Sequence, residues 1–216
     1  MPFLLVNIGL NKQTAFFGRN SIFWHKFLTM TPFEYITVLI SIILGLGITQ
    51  IVTGVADIIH QWDRMRIYWP HAIWILLVFV MHIHEWWYTY DLKKHESWYL
   101  ISFLFTIIYP IMLFVLARIL FPFGAMDNET DFKVFYFNNY RKFFLMVTLL
   151  ATLAILQDVL LEGYPIQDQI LKLIILFSLA TLAWKKITNE TLHKVVALLL
   201  LFAFVGSLAV LDYTVE

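Results

Sequence analysis

Apolar residues dominate six stretches of this chain, each long enough to cross a bilayer. An α-helix rises about 1.5 Å per residue, so about 20 apolar residues span a hydrocarbon core about 30 Å thick. Residues 33–59, 68–90, 98–120, 143–161, 166–184 and 192–213 meet that measure. The pattern predicts an all-α fold, a polytopic transmembrane helical bundle of about six helices with short loops. The fifth stretch is the least apolar, because Gln167, Asp168, Gln169 and Lys172 occupy its first turns. Lys172 has a stem long enough to carry its ammonium to the interface, and Asp168, four residues earlier, is a partner within helical reach.

Start and stop signals sharpen the helix ends. Thr31, Pro32 and Glu34 supply an N-cap hydroxyl, a proline at the first helical position and a carboxylate at the third, which together start a helix directly after Met30. Residues 1–29 have neither the sustained apolar core nor the small-residue cleavage site of a signal peptide. They are expected to be an N-terminal extension, with Met30 as the natural start and residues 30–216 as one transmembrane domain. Pro70 and Pro165 fall at helix starts, where a missing N–H costs little, whereas Pro110 sits mid-helix and predicts a kink.

Basic residues concentrate in alternate connections. Arg64, Arg66, Arg118, Lys133, Arg141, Lys142, Lys185, Lys186 and Lys194 fall on one side; Lys93, Lys94 and Lys172 fall on the other, joined by Lys12, Arg19 and Lys26 if the extension is kept. The richer side is expected in the cytoplasm, with both termini outside. The third connection, DNETDFKVFYFNNYRKFF, mixes charges with aromatics and is expected to lie on the cytoplasmic surface. Trp62, Tyr68 and Trp69 mark one interface, and Trp86, Trp87, Tyr88, Tyr90, Trp98 and Tyr99 the other. Asn128 and Asn189 head Asn-Glu-Thr triplets of the glycosylation pattern, but both fall on the cytoplasmic side and carry no functional weight.

Composition narrows the classes further. Hydrophobic residues make up 61% and charged residues 14%, against about 45–50% and about 25% in soluble domains. Fifteen Lys and Arg balance fifteen Asp and Glu, which leaves no basic surface for a nucleic acid. The chain has no Cys, so disulfides, thiolate metal sites and thiol catalysis are excluded. The expected partners are the lipid bilayer and a second copy or another membrane subunit; no cofactor is predicted.

Ionisable groups in hydrocarbon are costly and mark candidate sites. On the second helix His71, His82 and Glu85 share one face, while His84 points elsewhere. Asp158, beside Gln157, ends the fourth helix at a depth similar to that of Glu85. A bundle interior holding His82, Glu85 and Asp158 would bind a cation or relay protons. The competing reading is that His82 and Glu85 only hydrogen-bond helices together. The first helix carries a second stripe, Gly47, Gln50, Gly54, Asp57 and Gln61, in which the glycines suit close packing and Gln50 with Asp57 suits helix association. Ser41 and Gly45 form a small-residue step on another face.

Several enzyme patterns fail. His84-Glu85 begins the zinc-protease motif, but Tyr88 stands where the second histidine must bind. His71 and His82 share one helix, and His60 and His193 lie near helix ends, so no bis-histidine haem site is supported. No phosphate loop and no serine elbow is present.

The stretches TPFEYITVLISIILGLGIT and RIYWPHAIWILLVFVMHIHEWW, and more weakly DFKVFYFNNYRKFF, resemble a family of small bacterial polytopic membrane proteins to which no activity is assigned. The resemblance implies the bacterial inner membrane and a start at Met30, and brings no site residues. Three functional classes follow: a non-enzymatic transporter, channel or sensor for a proton, ion or small solute; a structural or accessory subunit; and a membrane enzyme with His82, His84 and Glu85 as partial metal ligands.

Overall fold

The computed structural model describes residues 31–94, 98–124 and 130–210, the side chains of 207–210 excepted. Six helices carry it: α1 (Pro32–His60), α2 (Trp69–Tyr88), α3 (Leu100–Ile119), α4 (Phe132–Leu160), α5 (Ile170–Trp184) and α6 (Glu190–Val210). Three short 3-10 turns, Trp62–Arg64, Thr89–Lys94 and Ile166–Gln169, join them. Among the described residues there is no strand, only an isolated bridge between Arg66 and Asp131. The expected 1–29 extension, the Met30 start and Asn128 with Glu129 of the first Asn-Glu-Thr triplet lie outside the described residues.

Four helical stretches are long and apolar enough to cross a membrane: Pro32–His60, Leu100–Ile119, Phe132–Leu160 and Ile166–Trp184. They turn large apolar side chains outward, among them Ile42 and Leu46 of α1, Leu100 and Ile101 of α3, Leu145 and Leu149 of α4 and Ile174 and Phe177 of α5. A soluble protein rarely exposes such continuous apolar faces, whereas lipid solvates them without cost. The chain is a helical membrane-embedded protein. α2 is less apolar because three histidines and Glu85 lie within it and Trp and Tyr crowd its ends.

α1 packs on α2 and α3, α4 on α3 and α5, and α2 also touches α3 and α6. Successive helices run in opposite directions, so the α1–α2, α3–α4 and α5–α6 connections meet at one end, here the basic end. Arg66 N–H donates to Thr130 O at 3.3 Å and Phe132 N–H to Arg66 O at 3.0 Å, which clamps two of these connections together.

Caps fix the helix starts. Glu34 N–H donates to Thr31 Oγ1 at 3.2 Å and Thr31 N–H to Glu34 Oε2 at 2.8 Å, closing the box expected at α1. Asp131 Oδ1 accepts from Lys133 N–H at 2.8 Å and Val134 N–H at 3.1 Å. This cap corrects the surface segment expected around residues 127–144. From Phe132 onward the stretch is instead the first three turns of α4, because Phe132, Tyr136, Tyr140 and Phe144 recur every fourth residue and bury together. Asn189 Oδ1 accepts from Leu192 N–H at 3.1 Å, so the second Asn-Glu-Thr triplet is an N-cap. α5 ends with Lys186 in the left-handed region (φ 53°) and Ile187 N–H donating to Leu182 O at 3.3 Å.

Two glycines of α1 are contact points. A Cβ on Gly47 would lie 2.2 Å from His82 Nε2, and one on Gly54 would lie 2.5 Å from the Phe121 ring. α2 therefore seats its histidine on α1, and the start of the α3–α4 connection seats its phenylalanine one helical stretch away. A Cβ on Gly45, which forms the small-residue step with Ser41, would meet open space. Pro110 lies within α3 and cannot donate to the Thr106 carbonyl. Gln157 of α4 supplies the missing donor, its Nε2 lying 2.9 Å from Phe105 O and 3.4 Å from Thr106 O.

Candidate functional site

At the end of the bundle opposite the basic one, polar side chains from four helices converge. α4 contributes Asp158, which is paired with Lys172 of α5 through Nζ and Oδ2. Asp158 is the better buried partner, its side chain 15% exposed against 43% for Lys172. The expected partner Asp168 is not used, because it lies exposed in the 3-10 turn ahead of α5 and so outside the helical register that an i, i+4 pair needs. α2 contributes Glu85, whose carboxyl interacts electrostatically with Asp158. Tyr109, on α3, interacts with both carboxyls, and Tyr88, one turn beyond Glu85, interacts with these and with Glu162.

The group holds two carboxyls and one ammonium around the Asp158–Lys172 pair. Glu85 thus lies in electrostatic range of a carboxyl that is already paired with an ammonium. Glu85 and Asp158, two residues expected to act together, are thus brought together. His84 faces away from the Glu85 side of α2, against Phe204 of α6 at 6.4 Å between ring centres, yet it interacts electrostatically with Lys172. Tyr109 and Lys172 complete the group although neither stood among the expected site residues.

His82 is not part of this group. It is fully buried, and its Nδ1–H donates to Val78 O at 2.7 Å, the preceding turn of its own helix. Its Nε2 has no hydrogen-bond partner among the described residues and abuts Gly47. The contact leaves no room at Nε2 for a ligand, so His82 acts as a shape-matched key between α1 and α2. Among the described residues no three His, Asp or Glu side chains converge to hold a metal ion.

His71 lies toward the basic end, buried, with Nε2–H donating to Leu120 O at 2.9 Å at the end of α3 and its ring stacked on Phe132 at 5.4 Å. Gln50 is half-buried, and Asp57, at the basic end of α1, is exposed. Among the described residues neither joins the Glu85 and Asp158 group.

A second fully buried histidine is His193, on α6, which was expected only to sit near a helix end. Its Nε2–H donates to Ile187 O at 2.8 Å, Nδ1 accepts from Tyr136 O–H at 2.8 Å, and the rings of Phe137, Tyr140 and Phe144 surround it at 4.8–5.6 Å. Both nitrogens have a partner, so this histidine is structural. The signal available beforehand was the fourfold spacing of Phe132, Tyr136, Tyr140 and Phe144, which announces an aromatic face without naming what it encloses. Glu190, one turn before His193 and outside the apolar part of α6, pairs with Lys133 at 2.6 Å and Lys194 at 2.8 Å. The hydrogen bonds from Lys133 and Lys194 hold its carboxyl below the ordinary carboxylate range.

No family model, no curated protein and no solved structure matches this chain.

Proposed function

We propose that this chain crosses the bilayer six times, through α1 to α6, and that it is a non-enzymatic transporter, channel or sensor handling protons or a small cation. Its site is Glu85, Asp158 and Lys172, with Tyr109 beside them. The single observation that carries this reading is the stoichiometry of the group: Lys172 is committed to Asp158, while Glu85 brings a second carboxyl into the same electrostatic neighbourhood. Intramembrane carboxyls of this kind mark ion and proton pathways. The excess of Lys and Arg at the basic end supports a cytoplasmic assignment for that end, with both termini outside. The resemblance to small bacterial polytopic proteins supports the inner membrane.

The test is flux. Protein reconstituted into liposomes with an entrapped pH-sensitive dye is given a proton gradient and, separately, a sodium or potassium gradient. Glu85→Gln is expected to abolish the movement that the wild type supports, and Asp158→Asn to impair it strongly. Flux that survives in Glu85→Gln, or an inert wild type whose fluorescence and stability ignore pH, overturns the reading. A structural role is favoured by one separate observation, the seating of His82 on Gly47, and applies to that contact alone.

A further inference from the structure

Between the start of α2, the end of α3 and the first turns of α4 lies a cavity of about 10 Å³. That is room for about one water molecule. Five side chains able to hydrogen-bond line it: His71, Trp74, Tyr136, Asn139 and Tyr140. Trp74 and Tyr140 are each only 3% exposed, and among the described residues neither Trp74 Nε1 nor Tyr140 Oη has a hydrogen-bond partner. The indole N–H comes near the Tyr136 hydroxyl without reaching hydrogen-bond geometry. A buried donor without a partner is costly and uncommon, and two at one small cavity call for a shared partner.

The other three have their hydrogens committed elsewhere. Asn139 Nδ2 donates to Phe135 O at 3.0 Å, Tyr136 O–H to His193 Nδ1 at 2.8 Å and His71 Nε2–H to Leu120 O at 2.9 Å. Tyr136 Oη and His71 Nδ1 are therefore left as acceptors. The cavity offers two donors and two acceptors, and no carboxylate, ammonium or guanidinium lines it. An anion would match the donors and oppose the acceptors, and a cation the reverse. A small neutral molecule that both donates and accepts suits all four.

We propose that this cavity binds one water molecule, which accepts from Trp74 Nε1–H and Tyr140 Oη–H and donates to Tyr136 Oη and His71 Nδ1. Four partners are the full complement of a buried water. The water joins α2 to the hydrogen bonds that run from Tyr136 of α4 through His193 of α6 to Ile187 O, so three helices share one polar chain inside an apolar bundle. Trp74 precedes Glu85 by eleven residues, about 16 Å of helix. The site is thus separate from the Glu85 and Asp158 group and independent of what that group conducts.

The test is X-ray radiolysis of the full-length protein in detergent, which makes hydroxyl radicals wherever water is held, with oxidised side chains located by peptide mass spectrometry. Trp74 and Tyr140 are expected to be oxidised in spite of their burial, while Phe144, fully buried and away from the cavity, stays unmodified. Tyr140→Phe keeps the ring and removes one partner; it is expected to cut Trp74 oxidation several-fold and to lower the thermal midpoint by about 2–4 °C. Combined with Trp74→Phe, the two losses should sum to less than additive, because either variant alone already weakens the shared water. The proposal is overturned if Trp74 and Tyr140 stay unmodified in the wild type, or if Phe144 is oxidised alongside them, which assigns the label to opening of the bundle. It is also overturned if Tyr140→Phe is as stable as the wild type or more so, the result for a hydroxyl that bonds nothing, or if the two losses add. Should Trp74→Phe fail to fold, wild-type radiolysis and Tyr140→Phe decide.

Discussion

At the basic end His193 is enclosed by aromatic rings, with a hydrogen bond on each nitrogen, so the bundle buries a polar group by completing its bonding. At the opposite end Asp158 and Lys172 meet across two helices with Glu85 in range, so polarity there is held by charge rather than by saturated hydrogen bonds. The first arrangement has one state. The second leaves an additional carboxyl beside an ion pair, which is the imbalance the proposed function rests on. One end thus buries its polar group completely with each nitrogen partnered, whereas the other keeps a partly exposed ion pair with a further carboxyl in range.

The comparison is broken most directly at His193. His193→Ala removes both hydrogen bonds and leaves an aromatic-lined cavity, and a loss of about 3 kcal/mol is expected in detergent thermal unfolding. Gly47→Val forces a side chain into the His82 ring and is expected to cost about 2 kcal/mol. Adding His82→Ala to Gly47→Val should restore part of the loss, and an additive double variant would deny the contact. Asp158→Asn leaves Lys172 without its counter-charge, but Lys172 is 43% exposed, so solvent screens the change and about 1 kcal/mol is expected by the same assay. A flux defect in Asp158→Asn out of proportion to that loss sharpens the contrast between the two ends.

The smallest effect is a pH dependence at the basic end. Because the Glu190 carboxyl is held below its ordinary value, the stability it contributes is present above that value and is lost as pH falls through the depressed one. Glu190→Gln should flatten, by a small amount, the acid limb of a stability–pH curve that begins as pH falls below the ordinary carboxylate range, with no change at pH 7 beyond the lost ion pairs. An acid limb identical in the variant would remove Glu190 from the account.

Apolar length made the helices legible, since about 20 residues of hydrocarbon-compatible sequence admit few alternatives to an α-helix. The start of α4 was not legible by that measure, because Lys133, Asn138, Asn139, Arg141 and Lys142 lower the local hydropathy while Phe132, Tyr136 and Tyr140 still define a buried face. Glu85 and Asp158 stood out as carboxyls within apolar stretches. Lys172 was assigned to Asp168, four residues away, because sequence spacing says nothing about which side chain a neighbouring helix presents. His82 stood out for the same reason as Glu85, yet its role turns on Gly47, a residue 35 positions earlier. His193 was hidden because its cage comes from a different helix.

The amide of Gln157 against the carbonyls near Pro110 ties two distant positions into one unit of inheritance. A lineage that replaced Pro110 with an ordinary residue would regain the N–H for Thr106, and Gln157 would be released to drift toward an apolar side chain. While the proline stays, losing the glutamine strands a carbonyl in hydrocarbon. Related chains should therefore keep both residues or neither, a joint pattern readable in any set of homologous sequences.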